Sequence, residues 1–194
     1  MTEEMNSGLS VPKKCFAMAF MRWLTLIALA CATVACATEP KVVDHAFGFD
    51  ATWDSPDVEV LDYRYGDSRL AGVRNPDWML EKGKSLQAAN TNGPMRVGDE
   101  LYIKWRIKSS GEVHQDTVDL RSRLPRDITG YRIHFILKGP QLYVYLISPE
   151  KLDPNPCPSR GELRRLGQSD EPRDKIFSMY CYRKIITIYP DQPK

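Results

Sequence analysis

Three histidines, five cysteines and a close set of three arginines are the side chains here with which chemistry could begin. His45, His114 and His134 stand far apart, without the short spacings that let histidines share a metal ion. His134 falls beside Tyr145 in a paired strand, where a packed, hydrogen-bonded imidazole is the plainer reading and a catalytic base the bolder one. No Gly-x-Ser-x-Gly elbow is present, and Gly66-Asp67-Ser68 reads as a turn rather than a nucleophile. Arg121, Arg123 and Arg126 form a small basic cluster, either a solvated loop or an anion site. Tyr143 and Tyr145 alternate with apolar residues, so they either pack in the sheet or offer aromatic rings to a partner. No nucleophile–base pair stands out, and the expectation is a protein that is not an enzyme and needs no metal or cofactor.

The elements that would position these residues are strands. Val58 to Tyr65 alternates and ends at Gly66. Leu101 to Lys108 sets Leu101, Ile103, Trp105 and Ile107 on one face, with Tyr102, Lys104 and Arg106 on the other. Ser109-Ser110-Gly111 then turns the chain into Glu112 to Leu120. A three-residue loop pairs Lys108 with Glu112, Arg106 with His114 and Lys104 with Asp116, which leaves His114 a solvated ladder residue. A second hairpin, Tyr131 to Lys138 and Gln141 to Ile147, turns at Gly139-Pro140. It places Phe135 opposite Val144 on one face and His134 opposite Tyr145 on the other. Both faces are apolar, so this hairpin is either central or covered by a loop or partner. A last strand runs from about Arg183 to Tyr189. The polar stretch from Met79 through Asn90-Thr91-Asn92-Gly93-Pro94 reads as a surface loop. Asp153 to Lys175 reads as a charged, proline-rich excursion with one short helix starting near Ser159-Arg160-Gly161-Glu162. The fold class is mainly β: an antiparallel sandwich or curled sheet with one short helix.

Upstream of the strands lies Trp23 to Ala37, an uncharged apolar run of about 15 residues, short of the roughly 20 that span a bilayer. Arg22 precedes it and Thr38-Glu39-Pro40 ends it, the layout of an export signal. Glu3 and Glu4 sit where a signal carries positive charge, and starts at Met18 or Met21 would remove them. The run contains Ala28-Leu29-Ala30-Cys31 and Thr33-Val34-Ala35-Cys36, and here the chain resembles bacterial lipoproteins, cut just before a cysteine that takes lipid. Ala28 and Thr33 stand where that family has a larger aliphatic residue. An uncleaved signal anchor and an ordinary cleaved signal are the competing readings. Cleavage before Cys36 discards Cys15 and Cys31 and leaves an even pair, Cys157 and Cys181; cleavage before Cys31 would leave Cys36 as a spare thiol. Cys36 is therefore the expected lipidation site, with Cys157 and Cys181 as a disulfide or as two buried thiols. The domain reading follows: 1–35 a lipoprotein-type signal region, 36–56 a tether on which Phe47, Phe49 and Trp53 could dock, and 57–194 a single β-rich domain. Taking Lys13, Lys14, Arg22, Glu3 and Glu4 from the 27 basic and 25 acidic residues leaves 24 and 23. That balance lacks the concentrated positive charge of a nucleic-acid binder.

The block Gly93 to Ile147, with Leu61 to Ser68 before it, resembles envelope lipoproteins of proteobacteria that act as immunity proteins against type VI secretion lipase effectors. The likeness lies in a Trp-containing strand, a Leu-Pro loop and a paired hairpin. It implies a lipid-anchored protein facing the periplasm that binds and neutralises a secreted phospholipase. The apolar reverse face at His134, Tyr143 and Tyr145, or the loops at one end of the sandwich, is the expected contact surface. The alternative function is a structural or assembly lipoprotein of the outer membrane that binds envelope proteins or glycan.

Overall fold

The register of the Gly139-Pro140 hairpin emerges as read: Phe135 opposes Val144, Ile133 opposes Leu146 and His134 opposes Tyr145. Gly139 takes φ +54° at the first position of the turn, a backbone conformation open to glycine at little cost. This hairpin lies inside a larger assembly, seen in a computed structural model that describes residues 41–191. Cys15, Cys31, Cys36 and the signal region lie outside the described residues.

The elements in chain order are β1 (Val42–Asp50), β2 (Val58–Tyr65), α1 (Asp77–Leu80), β3 (Ala88–Arg96), β4 (Glu100–Ile107) and β5 (Val113–Asp119). They continue with β6 (Arg132–Lys138), β7 (Gln141–Lys151), α2 (Arg160–Gly167), α3 (Pro172–Tyr180) and β8 (Arg183–Tyr189). One sheet has the order β3-β1-β6-β7-β8 and the other β2-β4-β5. Neighbours pair antiparallel except β1 and β6, which run parallel with Ala46 beside Arg132. The mainly β, sandwich-type class holds, and α2 is the expected short helix. Its Ser159 hydroxyl caps the first turn by accepting from the Glu162 amide, satisfying a donor that the helix itself leaves open. Helices α1 and α3 add to it.

The two sheets enclose one aromatic-rich core. Phe47 lies 5.1 Å from Tyr65, nearly parallel, and Phe49 lies 4.4 Å from Phe135. Trp105 is buried and its indole N–H donates to the Gly139 carbonyl at 2.9 Å, so its one polar atom is satisfied.

Three expectations need correction. The segment read as a tether to residue 56 is, from Val42 onward, an interior strand and its turn. Phe47 and Phe49 are buried, because Val43, His45, Phe47 and Phe49 alternate inward while Ala46 and Gly48 face out. The stretch read as a polar loop is partly strand β3, paired with β1 from Ala88 to Arg96. It lies at a sheet edge, where backbone pairing needs no apolar face. The β4–β5 register is slipped by one: Trp105 opposes His114 and Ile103 opposes Asp116. The connection closes through Gly111 N–H to the Ile107 carbonyl at 2.8 Å, with Gly111 at φ +74°. The inward side chains of β5 meet neighbouring side chains, although His114 Nε2 has no hydrogen-bond partner. His114 lies against the Trp105 ring at 5.8 Å, and Asp116 accepts from the Tyr189 hydroxyl at 2.6 Å.

Candidate functional site

Helix α3 decides what the outer face of the five-stranded sheet can do. Pro172 at its start supplies a fixed φ and lacks the N–H that a first turn leaves unbonded. Ile176, fully buried, seats the helix on Ile136, Tyr145 and Ile147, with Met179 and Tyr180 along the margin. The Cys157–Cys181 bridge forms, with Cα atoms 5.2 Å apart, and fastens the loop before α2 to the end of α3.

This cover buries two of the three residues named on the apolar reverse face. His134 is 5% exposed and Tyr145 2%, so neither presents itself to a partner. Tyr143 remains half-buried at the helix margin. Burial holds the Tyr145 hydroxyl well above the ordinary tyrosine range, as expected when an ionised oxygen would lose its water. His134 takes the hydrogen-bonded role: its Nε2–H donates to Asp54 Oδ2 at 2.6 Å. Asp54, on the β1–β2 turn, is itself buried. Asp54 Oδ1 and His134 Nδ1 have no protein partner.

The other sequence candidates are spent structurally. Arg121 holds Asp119 through two bonds of 2.9 and 2.7 Å. Arg123 holds Asp191 and the Ile188 carbonyl, so two of the three clustered arginines are internally engaged. His45 is buried between two partners, donating from Nδ1 to the Val43 carbonyl at 2.8 Å and accepting at Nε2 from the Tyr65 hydroxyl at 2.9 Å.

What α3 leaves uncovered is a groove of about 570 Å³ over β1, β3 and β6. Its floor is low because β1 presents Ala46 and Gly48 there. Arg132 lies across that floor from β6 to β3, where Nη1 donates to Asn90 Oδ1 at 2.9 Å and Nη2 to Asn92 Oδ1 at 2.8 Å. A Cβ on Gly48 would stand 3.0 Å from Arg132 Nη1 and 2.8 Å from the Ala89 carbonyl. Glycine is thus what allows the guanidinium to lie against the sheet. His134, Tyr180, Tyr182 and Arg183 line the same groove. Arg183 donates only to the Ser148 and Pro149 carbonyls.

Sequence reading found His134 but missed Arg132, Asn90 and Asn92. The signal available was a glycine and two asparagines in register on facing strands, invisible while β1 and β3 were taken for connections. Elsewhere, Trp53 on the β1–β2 turn and Trp78 on α1 are 56% and 59% exposed. Comparison with protein-family models, curated proteins and solved structures returned no match.

Proposed function

We propose that the protein is a lipid-anchored envelope protein whose β-domain binds another protein, a secreted phospholipase, and neutralises it without chemistry of its own. The observation that carries partner binding is the exposure of Trp53 and Trp78, on consecutive connections of the chain. Exposed aromatic rings are a frequent source of interface energy when a partner covers them. The phospholipase identity rests on the resemblance of the Gly93–Ile147 block. The periplasmic address rests on the export-type run before Cys36 and is supported by the Cys157–Cys181 bridge, of a kind favoured in oxidising compartments. In this reading Cys36 carries the lipid.

The test is protection. Cells producing the full-length chain should survive delivery to the periplasm of a lipase encoded beside its gene, and cells lacking it should not. The purified chain should bind that enzyme, and Trp53→Ala or Trp78→Ala should weaken binding by about 2 kcal/mol, near 30-fold, where the ring is a central anchor. Equal sensitivity with and without the chain would overturn the immunity reading and favour an envelope-structural role. Unchanged binding by both variants would move the contact surface elsewhere.

A further inference from the structure

We propose that the groove over β1, β3 and β6 is a binding site for an organic oxyanion, a carboxylate or phosphate ester, held by the Arg132 guanidinium. This assignment is independent of the lipase reading. Its basis is an unneutralised cation in a prepared setting. A guanidinium carries five N–H donors, and Arg132 commits one Nη1 and one Nη2 hydrogen to Asn90 and Asn92. Those two amide oxygens fix its plane and position without cancelling its charge. Arg64, Arg96, Arg106, Arg121 and Arg123 each hold a carboxylate; Arg69, Arg126, Arg160, Arg164 and Arg173 hold none but lie outside this groove. Arg132 and Arg183, both lining the groove, have no ion-pair partner among the described residues. Asp50 also lines the groove; its Oδ1 accepts from the Thr52 and Trp53 amides, and it forms no ion pair with Arg132.

A second observation points the same way. His134 lines the groove, its side chain is 6% exposed, and its Nδ1 has no protein partner. Asp54 holds the Nε2 side of the ring, which leaves Nδ1 a buried acceptor without a protein partner when the imidazole is neutral. Buried polar atoms are seldom left unpaired in folded proteins, and here the unpaired atom belongs to a residue that lines the groove.

The groove has room for more than a bare ion. About 570 Å³ is within the range of pockets that bury organic ligands, roughly 300–1,000 Å³. The ligand's oxyanion would sit on Arg132 in the two-bonded geometry that guanidinium favours. Its body would extend over Ala46 and Gly48 toward Met179 and Tyr180.

The experiment is a titration of the full-length chain in non-ionic detergent, with arginine and histidine labelled for nitrogen-15 resonance. The probes are glycerol 3-phosphate, succinate and inorganic phosphate. Glycerol 3-phosphate or succinate should move the Arg132 Nε–H and His134 ring signals to saturation while Arg121 stays still. Whichever of the two binds more tightly tells a phosphate ester from a carboxylate. Arg132→Gln should weaken binding at least tenfold and abolish the His134 response, with its melting temperature reported alongside. Gly48→Ala, which displaces the guanidinium and leaves every donor in the chain, should weaken binding as well. Equal affinity for inorganic phosphate would overturn the organic part of the assignment. Saturation that survives Arg132→Gln, or no response at Arg132 to any of the three probes, would overturn the site itself.

Discussion

His45 is a histidine in a place where an apolar residue would ordinarily stand, and its hydrogen bonds define its state. The Val43 carbonyl can only accept, so Nδ1 carries the proton and Nε2 accepts from Tyr65. Desolvation by burial lowers its pKa below the ordinary 6.5, opposed by the Val43 hydrogen bond and the nearby charge of Asp44. A base with a depressed pKa in the folded state binds its extra proton more readily when unfolded. Stability from this residue is therefore complete above about pH 6.5 and lost as pH falls below it. The melting temperature of the wild type should drop between about pH 7 and pH 5 more steeply than that of His45→Gln. Equal slopes would show that His45 is not the acid-sensitive group. Asp62 works in the opposite sense, because burial raises its pKa; the folded chain holds that proton more tightly, so its contribution is present at low pH and lost as pH rises through the folded value.

At the scale of elements, the excursion from Leu152 to Glu171 depends on its bridge more than on burial. Most residues from Leu152 to Asn155 are exposed, and α2 buries only Gly167 among its eight residues. The Cys157–Cys181 bridge spans 24 positions, and closing a loop of that length stabilises by about 3 kcal/mol in the chain-entropy account. Reduction should therefore lower the urea midpoint of the domain, and Cys157→Ser with Cys181→Ser should do the same without reductant. Matching midpoints in the oxidised and reduced forms would mean that the packing of α3 around Ile176 holds it without the bridge. Which elements were legible follows from how each meets its neighbours. The β6–β7 hairpin was readable because Phe135, Val144 and Leu146 alternate and Gly139 supplies the turn. The β4–β5 register was not, because His114 and Asp116 face inward against Trp105 and Tyr189. The partner of Asp116 lies 73 positions along the chain and leaves no local pattern. Strand β3 was missed for a different reason: Asn90, Asn92 and Pro94 are exposed, and its pairing with β1 is a matter of backbone. Without β1 and β3 in place, the Arg132 groove had no walls to be read from.

At the scale of the whole molecule, the position of β1 in the sheet governs how the chain can be cut. The first described strand lies between β3 and β6 rather than at an edge, and it supplies Phe47 and Phe49 to the core shared by both sheets. It also carries the turn with Asp54 and Ser55, whose side chains hold His134 and the Leu137 amide at 2.6 and 2.8 Å. Removing it would open two sheet edges, strand a buried histidine and empty the middle of the aromatic cluster. Each buried aromatic side chain lost is worth roughly 3–5 kcal/mol in comparable truncations. Two such losses approach the whole stability of an ordinary domain, about 5–15 kcal/mol. A chain starting at Lys41 should accordingly melt in one cooperative transition. A chain starting at Asp57, where the tether was expected to end, should show none by circular dichroism and should accumulate as aggregate. Phe47→Ala and Phe49→Ala, made singly in the longer chain, should each lower the midpoint while preserving the transition. A cooperative melt from the chain starting at Asp57, at the temperature of the longer one, would mean that β3 and β6 close the sheet without β1. The strand would then be peripheral to stability despite its central place.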